Sequence, residues 1–363
     1  MLEVGEPTRE PENRTGVKDV VDGSDPRAEI WDLLRAQWRF SGLYAFVQLD
    51  LAGFLRDGPL TIRELAQRCG ADEMALFRLM RTAASMGIVS TVRSDDEPVT
   101  YALTAAGHTL RSDVDRSMRS VAIIQGIPAF LDAMGSLSDA VRSGRSGFAA
   151  QYGSFYGYLK LHPDTRQHFN TFMVSRSRAI AEAVADAYDF TGIPDIADIG
   201  GGNGCVLATI LRANPGTRGV LLDVEAVIPG ARDFLTAEGV ADRCDLVTGN
   251  FFAEVPPANT YLLSNIVHNW NDDDALTILQ NVFTAMPEGG RVLFLDMLLP
   301  EGDEPHLGKE MDMRLLALYD GGRERGREEY ISLLAKARLN VRRIFDLPYA
   351  LSLIEAFPAE SWK

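Results

Sequence analysis

Cysteine and histidine are scarce in this chain. Its 363 residues hold three cysteines, Cys69, Cys205 and Cys244, and five histidines. The cysteines lie far apart, with no CxxC pair and no histidine at ligand spacing. That argues against a disulfide framework and a structural zinc site, and it fits a reducing cytoplasm. Long apolar runs are missing too: none approaches the roughly 20 residues that span a bilayer. Basic charge is short, with 36 Lys and Arg against 51 Asp and Glu, a net charge of −15. A protein that reads nucleic-acid phosphate needs the opposite balance, and an anionic membrane surface is disfavoured for the same reason. The opening MLEVGEPTREPENRTG is polar and acidic, so it is not expected to act as a secretory signal.

What is present has globular proportions, 46% apolar and 24% charged. The length predicts two or three domains. Residues 1–26 read as a disordered tail, rich in Glu, Asp, Pro and Gly. Over 27–110, Ile30, Leu33, Leu34, Trp38, Leu43, Tyr44, Val47 and Leu51 recur at helical spacing. Thr61 and Glu64 then form a capping-box pair, and Gly70 is a stop signal. A second helix starts near Asp72, with Leu76, Leu79, Met80 and Ala83 on one face. Ile88-Val89 and Val99-Tyr101-Leu103 flank a polar turn, SDDEP. Two helices plus a hairpin make a winged-helix pattern. Its second helix opens with Asp72-Glu73, where a DNA-recognition helix would meet phosphate, so packing or dimerisation is the preferred role. Residues 111–190 read as a mainly helical connector. Phe130, Leu131, Met134 and Leu137 are spaced for one face, as are Phe169, Phe172 and Met173.

From about residue 191 short apolar strands alternate with helices. Strands are expected at 195–199, 219–223, 245–248, 260–265 and 291–296, which implies βαβ units and a parallel sheet. Extended segments near 340–346 and 349–355 follow. The chemistry gathers at strand ends. Asp198-Ile199-Gly200-Gly201-Gly202-Asn203-Gly204 follows one strand and opens a helix. A dinucleotide GxGxxG fingerprint needs glycine or alanine in last place, and here that place holds Cys205 or Leu207. GxGxG fits, as Gly200, Gly202 and Gly204; that form is associated with S-adenosylmethionine, which has no pyrophosphate. No GK[ST] follows to make a phosphate loop. Asp223 ends the next strand, 19 residues after Gly204, where a carboxylate can hold ribose hydroxyls; the alternative is a helix N-cap. Asn250 and Phe251 offer an amide and an aromatic ring to an adenine, or a turn and a core residue. His268, just past the fourth strand, titrates near neutral pH and would serve as a base or as a structural histidine. The Asn271-Asp272-Asp273-Asp274 run reads as helix capping rather than a metal site.

The segments DIGGGNG, LLD, GNFF, LLSNIVHNW and GGRERG resemble the plant caffeate-type small-molecule O-methyltransferases and their bacterial relatives acting on polyketides and other aromatic natural products. The resemblance runs over roughly residues 28–357. It implies an α/β Rossmann-like class I methyltransferase domain over 191–363 and an N-terminal, mostly helical winged-helix dimerisation domain. It also implies S-adenosyl-L-methionine as cofactor, S-adenosyl-L-homocysteine as product, a small aromatic acceptor and a homodimer, with no metal, nucleic acid or membrane. Carried over residue by residue, Gly200, Gly202 and Gly204 would line the cofactor loop and Asp223 would hold the ribose. Asn250 and Phe251 would meet adenine, and Ser264, Ser177 and Arg166 would touch the rest of the cofactor. His268 would be the general base, flanked by Asp296 and Glu324. Phe169, Met173, Asn269, Trp270 and Met311 would line the acceptor pocket. Asp296 is shorter than the frequent Glu, and Gly326 replaces a usual Thr. Two other readings stay open: a relative that binds the cofactor but hydroxylates, decarboxylates or runs a pericyclic reaction, and a winged-helix regulator sensing a small molecule. Calorimetric titration is expected to give micromolar binding of S-adenosylmethionine and none of NAD; binding of NAD instead would overturn the GxGxG reading.

Overall fold

The structure, a computed structural model, describes residues 25–93, 95 and 98–359. The tail expected over 1–26 lies outside the described residues up to position 24, as do Ser94, Asp96 and Glu97 of the SDDEP turn. Asp25 and Pro26 already belong to the first helix, Pro26–Gln48: the Asp25 carboxylate caps Arg27 N at 3.0 Å and Pro26 takes the first turn.

Strand β1 (Leu60–Thr61) leads into two helices, Ile62–Cys69 and Glu73–Ser85, followed by β2 (Val89–Val92) and β3 (Thr100–Leu103). The three strands pair antiparallel in the order β1-β3-β2. Each helix end obeys its local signal. Glu64 N donates to Thr61 Oγ1 at 3.2 Å, Thr61 N donates back to the Glu64 carboxylate at 2.8 Å, and Gly70 stops the helix at φ +65°. Phe46, Leu51, Leu65, Leu76 and Met80 form the buried centre of this unit.

Six helices follow between Arg119 and Ala187, the last and longest being Pro163–Ala187. One apolar stripe expected here is corrected. A helix ends at Gly135 and a new one starts at Leu137. Phe130 is therefore buried, whereas Leu131 and Met134 face outward.

The remaining chain builds a seven-stranded sheet. Its strands are β4 (Asp195–Ile199), β5 (Arg218–Asp223), β6 (Cys244–Thr248), β7 (Thr260–Ser264), β8 (Arg291–Asp296), β11 (Leu339–Asp346) and β12 (Ser352–Pro358), in the order β11-β12-β8-β7-β4-β5-β6. The five strands expected to be parallel are so, and the two extended segments that follow them make the sheet mixed. β4 to β8 run parallel, but β12 lies antiparallel between β8 and β11. A five-residue turn joins β11 to β12, and so short a link forces antiparallel pairing. Pro348 and the left-handed pair Tyr349 and Ala350 (φ +65° and +59°) make that turn, so the last strand starts at Ser352 rather than near 349. Two short strands, β9 (Leu298–Leu299) and β10 (Arg325–Gly326), pair parallel beyond the end of β8.

Helices cover both faces. Pro163–Ala187, Cys205–Ala213 and Ile228–Ala237 pack on one side, and Asp272–Ala285 and Arg327–Lys336 on the other. The chain runs outward from β4 through β5 to β6, then returns to place β7 on the opposite side of β4. That reversal opens a crevice at the carboxyl ends of β4, β5 and β7, where open α/β sheets bind ligands.

Candidate active site

The glycine loop follows β4 into this crevice. Gly200, Gly202 and Gly204 all have positive φ, at +69°, +61° and +79°. A Cβ on Gly200 would lie 2.7 Å from Ile266 Cδ1, and one on Gly204 would lie 2.8 Å from Leu221 Cδ1. A Cβ on Gly202 would meet no protein atom within 4 Å, so this glycine faces the open crevice. Asp223, at the end of β5, accepts Gly202 N at 2.9 Å and Val224 N at 2.7 Å. It does not cap a helix, since the next one starts at Ile228. Burial raises its carboxyl pKa, opposed by those two amides.

Asp198, the last residue but one of β4, is 1% exposed, and its Oδ1 has no partner. Burial pushes its carboxyl up to about 7, with the Asp223 charge adding to the effect. The donor set answers which cofactor the crevice fits. Two carboxylates face the loop, and one occupies the amide of Gly202. A pyrophosphate would be repelled there, whereas ribose hydroxyls and a sulfonium or ammonium group would be attracted.

Past β6, Asn250 is exposed, its Oδ1 accepting Phe252 N at 3.0 Å. The Phe251 ring stands 3.4 Å from where a Cβ on Gly200 would be, so this expected adenine contact borders the loop. Ser264 ends β7, and Asn265 follows in a left-handed conformation at φ +55°. Asn269 Nδ2 donates to Asn265 O at 2.9 Å and closes this turn. Trp270 packs edge-on against Phe252 and Phe251, with ring centroids 4.7 and 6.0 Å away.

His268 lies in a single 3-10 turn, Val267–Asn269, and is 6% exposed. Its Nδ1 is 3.0 Å from Glu324 Oε1 and 3.6 Å from Asp296 Oδ1. The small β9–β10 pairing explains the meeting. Asp296 ends β8 and Glu324 directly precedes β10, so pairing Arg325 with Leu298 sets the two acids side by side. Tyr330 donates its hydroxyl to Asp296 Oδ2 at 2.7 Å, and Glu324 N donates to Asp312 at 2.8 Å. Burial pushes the Asp296 carboxyl up to about 6, opposed by His268 and reinforced by Glu324. Two oxygens, Asp296 Oδ1 and Glu324 Oε2, have no hydrogen-bond partner.

Arginines brace the histidine turn. Arg325, 1% exposed, donates to Val267 O at 3.2 Å, Trp270 O at 2.9 Å and the Asp272 carboxylate at 2.7 Å. Arg323 N donates to His268 O at 2.9 Å. Most of the run after Trp270 has local partners: Asn271 caps Asp274 N at 2.9 Å and Asp272 pairs with both arginines.

Phe169, Met173 and Ser177 fall at four-residue spacing along Pro163–Ala187, and all three are half-buried. Phe169 meets the Phe155 ring at 5.2 Å within an aromatic cluster that includes Phe130, Phe148 and Tyr319. Met311 packs, half-buried, against the core cluster on the glycine-loop helix side of the sheet. The Arg166 side chain is exposed and lines a surface groove with Gln167, Asn170 and Val174. The arginine that reaches the strand ends is Arg176, which donates to Asn265 Oδ1 at 2.8 Å.

Sequence reasoning missed Asp198, Arg176, Tyr330 and the Arg323–Arg325 brace. Asp198 stood inside the glycine motif and Arg323 and Arg325 inside GGRERG. Tyr330 carries no local signal, because its partner Asp296 lies 34 residues away.

Comparison with known proteins places the chain in a class and then among particular relatives. The O-methyltransferase domain family matches residues 134–339, and the O-methyltransferase dimerisation domain family matches residues 31–113. The chain belongs to this family of S-adenosylmethionine-dependent O-methyltransferases. It is 36% identical over 339 residues to the phenazine O-methyltransferase PhzM of Lysobacter antibioticus, covering 93% of this chain and 98% of that one. It is 36% identical over 314 residues to the mitomycin biosynthesis 6-O-methyltransferase of Streptomyces lavendulae, covering 86% and 88%. The solved structure of CalO1, a methyltransferase in calicheamicin biosynthesis with SAH bound, superposes with a TM-score of 0.80 at 34% identity, covering 92% of this chain and 99% of that one. Chemistry varies among relatives: the aclacinomycin 10-hydroxylase RdmB of Streptomyces purpurascens is 33% identical, covering 85% and 84%.

The Asp198 carboxyl gives a pH test. Its folded pKa lies above its unfolded value, so its contribution to stability is fully present below about pH 4 and is lost as pH rises through about 7. Asp198→Asn is expected to remove this loss, raising the melting temperature at pH 8 more than at pH 4. Equal shifts at both pH values would contradict the buried, unpartnered carboxylate.

Proposed function

We propose that this enzyme moves a methyl group from S-adenosyl-L-methionine to a phenolic oxygen of an aromatic metabolite, with His268 as general base and no metal. The observation that carries this reading is the buried contact of His268 Nδ1 with Glu324 at 3.0 Å. A carboxylate on Nδ1 keeps the proton there and leaves Nε2 as the free base. S-adenosyl-L-methionine, when bound, supplies a methyl group on a sulfonium that leaves as S-adenosyl-L-homocysteine. Asp223 would hold the ribose, Gly200, Gly202 and Gly204 would let the backbone approach, and Asn250 and Phe251 would meet the adenine. Ser264, Ser177 and the unpartnered carboxylate of Asp198 would serve the methionine end.

A phenol with a pKa near 10 is mostly neutral at pH 7. His268 Nε2 would take its proton as the oxygen attacks, and the new imidazolium would be stabilised by Glu324 and Asp296. The phenolic oxygen gains the methyl carbon, and the carbon–sulfur electron pair returns to sulfur. General-base assistance of this kind is worth about 10²–10⁴-fold, and alignment of oxygen, methyl and sulfur supplies more. A metal has no assigned task in this scheme, because the histidine performs the activation and Asp272 and Asp274 are engaged with Arg323, Arg325 and Asn271. Phe169, Met173, Asn269 and Met311 would border the acceptor.

The division into 27–110, 111–190 and 191–363 is part of this proposal; buried clusters cross it, with Ala122 packing on the first unit, Ile180 and Val184 on the sheet, and Ala317 and Leu318 on the aromatic cluster of the connector. The first unit, with its two helices and three-stranded sheet, suits a winged-helix dimerisation role. Its long helix leaves Ile30, Trp31, Leu33, Leu34 and Trp38 each more than half exposed, an apolar stripe that a second copy would cover. Three free cysteines suit the reducing cytoplasm, and no helix among the described residues is long and apolar enough to cross a membrane.

His268→Ala is expected to lower kcat by about 10²–10⁴-fold while S-adenosylhomocysteine affinity is kept; unchanged turnover would sink the base assignment. Light scattering is expected to show a dimer that Leu34→Asp with Trp38→Asp converts to a monomer. A wild-type monomer at micromolar concentration would contradict the dimer.

A further inference from the structure

Asp296 stands beside His268 without a hydrogen bond to it. Nδ1 of His268 meets Glu324 Oε1 at 3.0 Å, whereas Asp296 Oδ1 lies 3.6 Å away and has no hydrogen-bond partner. The two acids therefore act differently. Glu324 orients the ring, and Asp296 acts on it through charge. That charge exists only while the acid is ionised, and Asp296 is 1% exposed. A carboxylate shut away from water needs hydrogen-bond donors to stay ionised. Among the described residues this one has a single donor: Tyr330, whose hydroxyl meets Oδ2 at 2.7 Å. Arg325 directs its guanidinium instead at Val267 O, Trp270 O and Asp272.

The fold holds that hydroxyl in place. Tyr330 is 2% exposed and lies in helix Arg327–Lys336, six residues after Glu324. Its ring meets Phe294 edge-on, with centroids 5.7 Å apart, and Phe294 precedes Asp296 by two residues on β8. Alternate residues of a strand share a face, so one face of β8 carries both the ring contact and the acid that the hydroxyl reaches. The stretch from Glu324 to Tyr330 thus supplies the acceptor for His268 and the donor for Asp296. Burial and the Asp296 charge keep the Tyr330 pKa well above its ordinary value near 10, so the hydroxyl stays a donor.

The groups around Asp296 pull in both directions. Burial pushes its carboxyl up to about 6; His268, Tyr330 and Arg325 oppose this, and Glu324 adds to it. Arg176, from helix Pro163–Ala187, feels the Asp296 charge as well. In that balance the loss of one donor tells near neutral pH.

We propose that Tyr330 is a positioning residue for methyl transfer: its hydroxyl holds Asp296 ionised beside His268, so that this acid stabilises the imidazolium formed as the acceptor loses its proton. The inference rests on the methyl-transfer reading and deepens it.

Tyr330→Phe removes the hydroxyl and keeps the ring. The Asp296 carboxyl is followed by carbon-13 NMR in protein labelled at aspartate, its signal identified by its loss in Asp296→Asn. Tyr330→Phe is expected to raise the proton affinity of that carboxyl about 10-fold, the low end for a hydrogen bond to a charged group. Transfer to a saturating substituted phenol is expected to fall roughly 3–10-fold at pH 6 and to match wild type at pH 9, with S-adenosylhomocysteine affinity retained. In an Asp296→Asn background the same change is expected to cost nothing further. Melting curves check folding. Should Tyr330→Phe not fold, Asp296→Asn alone carries the test, and full activity in it at pH 9 would show that the charge is not used. An unmoved Asp296 titration, a rate deficit equal at both pH values, or a further loss in the Asp296→Asn background would overturn the inference and leave methyl transfer standing. Wild-type enzyme that binds no S-adenosylhomocysteine would overturn the methyl-transfer reading itself, and the role of Tyr330 in it, whatever the titration shows.

Discussion

Three carboxylates buried at strand ends set the terms for the whole crevice. Asp198, Asp296 and Glu324 are each at most 3% exposed, and each keeps one oxygen without a hydrogen-bond partner. Burying a carboxylate in this state costs free energy unless a cation or a proton compensates. The protein responds in two ways. It raises proton affinity, to about 7 at Asp198 and about 6 at Asp296. It also surrounds the acids with groups that become positive or attract positive charge when the site is in use. His268 next to Glu324 is the clearest case: in the proposed mechanism the pair would hold the imidazolium formed as the acceptor loses its proton, which is when stabilisation accelerates the step.

The fold supplies this arrangement through short-range devices. The strand order places the ends of β4, β5 and β7 side by side. Positive-φ glycines allow the loop after β4 to pass against Ile266 and Leu221. The two-residue pairing of β9 with β10 brings Glu324 to Asp296, and Tyr330 fixes the latter. Arg325, almost fully buried, ties the histidine turn down through two backbone carbonyls and Asp272. Removing any one of these would loosen the geometry without touching a reacting atom.

Much of this was legible in the sequence because it is local. The Thr61–Glu64 capping box, the Asn271 cap, the glycine turn and strands β4 to β8 are written in neighbouring residues. The site residues at strand ends were readable for the same reason, each falling where an apolar run stops. What escaped depends on contacts between distant segments. The antiparallel insertion of β12 follows from a left-handed pair at Tyr349 and Ala350, neither of which is glycine, so no residue type announced it. The packing of Trp270 against Phe251 and Phe252 joins segments 18 and more residues apart, and no local pattern announces it. Arg166 and Arg176 share one helix, and only the packing of that helix on β7 shows which of them reaches Asn265.

The central claim is that His268 removes a proton from the acceptor as the methyl group moves. The most direct measurement is the ratio of wild-type to His268-variant transfer rates across a series of substituted phenols of graded acidity, at one pH with both substrates saturating. The account predicts a ratio of about 10²–10⁴ for phenols with a pKa near 10, falling towards one for phenols already ionised at the assay pH. A ratio that stays constant across the series would mean that His268 orients the acceptor or supports the turn, and would contradict its role as base.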